Sequence, residues 1–237
     1  MNNTNQQLYV IYSNIKSFFS YRKLISLDTE LSQDQFIKTI QKDKYILLSA
    51  IDKSIVSQQD GSINEEKLSS IKKMIESFNE KSKSTDITIT NILLIYPGTE
   101  CESKRANMMK LINHIRFPQA KVIIITPTKA SSGVVKGLQN LASQKEHRGH
   151  EFKIFTYTLL SSILPEHELV PRYEILTNSK IEKLKQWFID PESLPKIFEN
   201  DPQMVWIGAT AGDVIKFEYL SEVTIEAIGY CKVIPSN

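Results

Sequence analysis

Apolar residues recur at helical spacing near the start of the chain: Leu8, Tyr12, Ile15 and Phe19, with Ile11 and Phe18 widening the face. That spacing predicts a first amphipathic helix. Ser32 and Gln35 have the separation of a capping box, and Phe36, Ile37 and Ile40 then supply an inward face for a second helix. Tyr45-Ile46-Leu47-Leu48-Ser49-Ala50-Ile51 is short and nearly all apolar, which predicts a strand. The alternation then repeats. Ser62 with Glu65 reads as the cap of a helix carrying Leu68, Ile71, Ile75 and Phe78 on one face. A β-branched run from Ile87 to Tyr96 ends at the turn signal Pro97-Gly98. Lys104 to Arg116 reads as a helix with Met108, Leu111, Ile112 and Ile115 inward, and Val122 to Ile125 as a buried strand stopped by Pro127. Ser131 to Lys145 is a further helix and Phe152 to Thr158 a further strand.

Strands and helices alternating at these lengths predict a layered α/β domain over residues 1–158, and strands this apolar imply cover on both faces. Past Leu159 the pattern changes. Pro165, Pro171, Pro191, Pro195 and Pro202 crowd together, a helix fits Ser179 to Ile189, and Gly208 and Gly212 mark a turn. Asp213 to Tyr219 alternates, with Ile215, Phe217 and Tyr219 against Lys216 and Glu218, and Val223 to Ile234 supplies a partner strand. Residues 159–237 therefore read as a separate, small α+β domain.

Composition narrows the function classes. With 237 residues, 41% hydrophobic and 24% charged, the chain can bury a core in each of two domains. No run of about 18 apolar residues is available to cross a bilayer, and Met1 to Gln7 lacks the basic and apolar parts of a secretory signal, so an intracellular, soluble protein is expected. A net charge of +2 is too balanced for a protein living on nucleic acid alone, so any DNA contact should be local or shared with a partner. Two cysteines, Cys101 and Cys231, are too few for a cysteine-built zinc site, and two free thiols are expected.

Four constellations could carry chemistry, and each has a plainer explanation. His147 and His150 could ligate a metal, but only Glu146 and Glu151 stand near them, and a solvated loop is the simpler reading. Thr126-Pro127-Thr128-Lys129-Ala130-Ser131-Ser132-Gly133 follows a strand and opens a helix, where free N–H groups favour anions, yet it lacks the glycine spacing of a phosphate-binding loop. It suits contact with a DNA phosphate better, through backbone and Lys129. Ser13 to Lys16 and Ser70 to Lys73 have Ser-x-x-Lys spacing without companion motifs. Asp201 and Asp213 flank Trp206, but Asp-Pro and Gly-Asp are also turn chemistry. These residues assemble no nucleophile, base and orienting group, so no catalytic residue, cofactor, metal or small-molecule substrate is expected.

One segment is distinctive. His167-Glu168-Leu169-Val170-Pro171-Arg172-Tyr173 resembles the His-x-Leu-Val-Pro signature that opens the assembly domain of the fifth subunit of eukaryotic-type DNA-dependent RNA polymerase, a family with shorter archaeal members. The downstream order is similar too: Leu194-Pro195-Lys196-Ile197, Asp201-Pro202, Ile207-Gly208, Gly212-Asp213-Val214-Ile215, and Ser221-Glu222 with Thr224 beyond an inserted Val223. The resemblance runs from Glu166 to Val233. The N-terminal part is similar in layout and in the Thr126-Pro127 loop, which resembles the Thr-Pro-Ser loop of the eukaryotic jaw. Departures are specific. Thr210-Ala211 stands where the family often has Lys-Arg, Tyr219 and Cys231 replace arginines, and Tyr173 replaces a frequent His. A partner surface altered in step is implied, as in a large DNA virus carrying its own polymerase; Val205-Trp206-Ile207-Gly208 resembles viral members.

The resemblance implies a non-catalytic subunit whose C-terminal domain packs on the largest polymerase subunit and whose N-terminal jaw lies beside downstream duplex DNA. It would work in the nucleus if cellular, or in a cytoplasmic viral factory and virion if viral. The interface residues it implies are His167, Glu168, Leu169, Val170, Pro171, Tyr173, Trp206, Ile207 and Asp213. The DNA-facing residues are Thr126, Pro127, Thr128, Lys129 and Lys136. Leu169, Val170, Trp206 and Ile207 are candidate apolar anchors, and each could instead fill the domain's own core. The competing class is a stand-alone α/β nucleotide-binding protein or enzyme with a small appended domain. It would need convergent polar groups at the carboxyl ends of the strands.

Overall fold

The first helix, α1 (Asn3–Tyr21), buries the face its spacing implies: Leu8, Ile11, Tyr12, Ile15, Phe18 and Phe19 are all at most 5% exposed. The computed structural model describes residues 3–58, 62–76, 88–98, 108, 112, 120–142, 151–187, 189–221 and 225–236. The chain divides into two compact units, 1–161 and 162–237. Both mix helices with a sheet. Among the described residues no helix is long and apolar enough to cross a membrane.

In the first unit five strands lie side by side in chain order: β1 (Leu24–Ser26), β2 (Tyr45–Asp52), β3 (Ile89–Ile95), β4 (Ala120–Thr126) and β5 (Glu151–Thr156). The β1–β2 and β2–β3 pairs are antiparallel, while β3–β4 and β4–β5 are parallel. All seven residues of β3 are buried, Thr90 and Asn91 among them, so the central strand is covered on both faces. One face carries Leu93, Ile95, Val122 and Ile124, packed with Met108, Ile112, Val134, Leu138 and Leu141. Of the helix expected over Lys104 to Arg116, only Met108 and Ile112 are described, and both are helical and buried. Phe78, Cys101 and the His147–His150 pair lie outside the described residues.

Helix α2 (Gln33–Asp43) begins on a real capping box. The Gln35 N–H donates to Ser32 Oγ and the Ser32 N–H donates to Gln35 Oε1 at 3.0 Å. Tyr12 and Phe36 then pack with ring centroids 4.8 Å apart, joining α1 to α2. A four-residue helix, α3 (Lys53–Val56), starts on Asp52. Helix α4 (Glu65–Glu76) does not start on Ser62 as its sequence spacing suggests. Asn64 is the cap: its Oδ1 accepts the Lys67 N–H at 2.9 Å and its carbonyl accepts the Leu68 N–H at 3.0 Å. Helix α5 (Ser132–Ala142) links the parallel strands, with Ser131 accepting the Val134 and Val135 N–H groups at its start. A 3₁₀ turn (Tyr157–Leu159) closes the unit. Tyr157 donates its hydroxyl to the Ile95 carbonyl, and Asn14 of α1 donates to the Leu160 carbonyl at 2.8 Å.

In the second unit the strand order is β6-β8-β9-β7, with β6 (Arg172–Ile175), β7 (Lys196–Phe198), β8 (Val214–Ser221) and β9 (Ile225–Ile234). The sheet is antiparallel except where β7 runs parallel to β9. One face buries Ile215, Cys231 and Val233 with Met204 and Ala209; the other buries Val214 with Leu176 and Leu184. The first cover is a helix the sequence pattern does not predict, α7 (Pro202–Ile207), begun by Asp201 with Pro202 at its first turn and ended by Gly208 in the left-handed conformation. The second is α6 (Asn178–Gln186), which stops at Trp187 rather than running to Ile189. The strand expected from Val223 is described from Ile225, and the short strands β1, β6 and β7 have no counterpart in the hydrophobic pattern.

Candidate docking site

The segment from Leu164 to Ile175 is a chain of local constraints. A 3₁₀ turn (Leu164–Glu166) contains Pro165, and the His167 N–H donates to the Leu164 carbonyl at 3.2 Å. A tight turn follows, closed by the Val170 N–H donating to the His167 carbonyl at 2.9 Å. Pro171 then leads into β6, which pairs with β8 through Arg172↔Glu218 to Ile175↔Ile215. At the tip of the turn Leu169 is 85% exposed. A leucine that open to solvent gains little from packing in its own unit. Glu168 and His167 are exposed as well, Val170 and Pro171 half-buried.

Helix α7 packs against both the 3₁₀ turn and β6, so it supports this segment from behind. Trp206 of α7 is 0% exposed and cannot meet a partner; of the two roles open to it, it takes the interior one. Ile207 is half-buried and packs on the core of Met204, Ile215 and Val233. Asp201 accepts the Gln203 N–H at 2.9 Å, the role of a helix cap. Asp213 accepts from the Thr210 N–H at 2.7 Å and the Thr210 hydroxyl at 3.0 Å, closing the loop before β8. Both carboxylates are thus occupied with turn geometry.

Tyr173 is half-buried beside the same elements. Burial pushes its phenol upward, and the carboxylate of Asp201 and Cys231 add to the shift. The thiol of Cys231 is likewise raised, by burial first and Asp201 second. Cys231 is 6% exposed within the sheet core, so its position is no part of an outer surface. Of the places where the family often carries a basic residue, Thr210-Ala211 and Tyr219 are the exposed ones. Sequence reasoning passed over two further features. Gln203 buries its side-chain amide with no partner for either end among the described residues. Phe217 lies between Tyr173 and Tyr219, centroids 5.9 and 6.0 Å away, with its ring over Gly229. A glycine inside a strand was the signal available for the second.

In the first unit the Thr126–Ser131 loop sits at the carboxyl end of β4. Thr126 is 2% exposed, and its hydroxyl has one proton to donate between the carbonyls of Thr128, 2.8 Å away, and Phe155, 3.2 Å away. It shapes the loop from beneath and has no surface to offer DNA, which corrects its place among the DNA-facing residues. Pro127 is half-buried; Thr128, Lys129 and Lys136 reach solvent. A cleft of about 260 Å³ lies elsewhere, lined by Asp28, Thr39, Asp43, Tyr45 and neighbouring residues of β2. Asp28 there accepts the Ser49 N–H, and burial raises its carboxyl while that bond and Lys72 oppose the rise. Ser13, of the first Ser-x-x-Lys pair, donates to the Tyr9 carbonyl within its own helix, and Lys16 pairs with Glu30.

Comparison of the sequence with known proteins finds a family over this part of the chain. Residues 163–233, nearly the whole second unit, match the family described as RNA polymerase Rpb5, C-terminal domain. A protein of Methanosarcina mazei named DNA-directed RNA polymerase subunit Rpo5 is 42% identical over 72 residues, which is 30% of this chain and 92% of that relative. The chain belongs to the RPB5 family. A second archaeal Rpo5, from Nitrosopumilus maritimus, is 36% identical over 73 residues and is covered to 88%. A relative from African swine fever virus, named DNA-directed RNA polymerase RPB5 homolog, is 19% identical over 219 residues, 92% of this chain and 93% of that relative. The similarity to archaeal members of the RPB5 family is therefore high and short, and that to the viral one is low and extends over both units.

Proposed function

We propose that this protein is a non-catalytic subunit of a multisubunit DNA-directed RNA polymerase, docking on the largest subunit through its second unit. The observation that carries this reading is the shape of the archaeal match. A relative named as a polymerase subunit is covered to 92% by a segment of only 72 residues, about the length of the family match over 163–233. A segment of that size is thus almost the whole of a polymerase subunit elsewhere, which supports placing the docking function in residues 162–237.

Leu169 is the anchor in this account. It stands exposed on a turn flanked by Pro165 and Pro171 and backed by α7, with Glu168 exposed beside it and Val170, Pro171 and Tyr173 half-buried. Such pre-forming lowers the ordering entropy lost on binding. The first unit serves as the jaw beside downstream DNA, with Thr128, Lys129 and Lys136 on phosphates and little reading of bases. The match over 92% of the chain supports a polymerase of the kind a large DNA virus carries. The test is binding of the full chain to the largest polymerase subunit. Leu169→Ala should weaken it at least tenfold, as truncating a buried anchor does; unchanged affinity would remove Leu169 and this segment from the interface.

A further inference from the structure

His167 is exposed, yet its imidazole is engaged within its own turn. Its Nδ1 accepts the Leu169 N–H at 3.2 Å, alongside the Val170 N–H bond to the His167 carbonyl. This is the pair of bonds made by an Asn or Asp at the first position of a turn, whose side-chain oxygen reaches the N–H two residues on. The covalent reach explains the substitution. Nδ1 of His is bonded to Cγ, as is Oδ1 of Asn, whereas Nε2 lies one bond farther out, at the reach of a Gln side chain. Nδ1 can accept only if the ring proton sits on Nε2.

We infer that His167 is a positioning residue for docking: its Nδ1 fixes the turn that holds Leu169 out toward the partner. The inference rests on the reading of this segment as the docking site. Pro165 and Pro171 fix the backbone on either side, so residues 167–170 hold most of the conformational freedom left in the segment. Leu169, at 85% exposed, gains little from packing in its own unit. The two hydrogen bonds are then what select the presented conformation over the alternatives. The rival role for His167, direct contact with the partner through Nε2, predicts a different pattern of rescue.

The experiment compares His167→Ala, His167→Asn and His167→Gln in the full chain by two readouts. The first is amide hydrogen exchange of Leu169 in the free protein; the second is affinity for the largest polymerase subunit. The Leu169 amide should exchange faster in the Ala and Gln variants and at the parent rate in the Asn variant. Affinity should fall about three- to tenfold for Ala and Gln, the range of one hydrogen bond, and recover with Asn. Rescue by Gln in place of Asn, or an Asn variant as weak as Ala, overturns the inference in favour of direct contact or a merely structural role. Leu169→Ala is the control that separates the two claims. If it leaves affinity unchanged while the exchange pattern holds, the docking reading fails although the turn device stands. If it weakens binding while the exchange pattern fails, the positioning role alone falls.

Discussion

Gly229 sits opposite Phe217 in the β8–β9 pair, and a Cβ added there would come within 2.2 Å of the Phe217 ring. The ring would have to leave its place between Tyr173 and Tyr219. Gly229→Ala should therefore cost about 1–3 kcal/mol, the usual range for overpacking, seen as a lower denaturation midpoint of the full chain. Adding Phe217→Leu should recover part of that loss, and an unshifted midpoint for the single change would show that the ring moves freely. Only half of this feature was legible in the sequence. Alternation along β8 puts Phe217 and Tyr219 on one face, but the partner of Phe217 depends on the strand register, which a one-residue slip would change. Trp206 has the same limit: whether it faces a partner or the interior is decided by α7, six residues long and too short to show a helical period.

At the scale of elements, local spacing served well where the helix followed directly and misled where something else came first. Ser32 and Gln35 form the box their spacing suggests, and α2 starts there. Ser62 and Glu65 have the same spacing, but Ser57 bridges Ile63, the Gln58 N–H donates to the Ser62 carbonyl and the Asn64 N–H to the Val56 carbonyl. The chain is still paired at Ser62, so the cap falls to Asn64. Asn64→Ala should destabilise by about 1 kcal/mol, and by clearly more than Ser62→Ala, in thermal or denaturant unfolding. Equal losses would return the cap to Ser62. The strands missing from the pattern, β1, β6 and β7, have three or four residues each, and their pairing depends on neighbours distant in sequence.

For the whole molecule, a net charge of +2 gives little overall attraction to duplex DNA, which fits the proposed jaw, contributing a few cations to a larger assembly. Lys129→Glu with Lys136→Glu, built into the polymerase, should weaken retention of downstream DNA more at low salt than at high salt. Each lost phosphate contact lowers the salt slope by about one. An unchanged slope would place both lysines away from DNA. The family was legible from the second unit through His167 to Pro171, Asp201-Pro202 and Gly212-Asp213, each held in turn or cap geometry that restricts which residue types fit. The first unit is apolar layering that many sequences satisfy, and the viral relative that extends over both units is only 19% identical across 219 residues. The most direct test of the account is affinity capture of the tagged full-length chain from its own cells or virus, with identification of the co-purifying proteins. The two largest chains of a DNA-directed RNA polymerase should be recovered in near-stoichiometric amounts; a chain recovered alone, or with other partners and no polymerase, would contradict the proposed function.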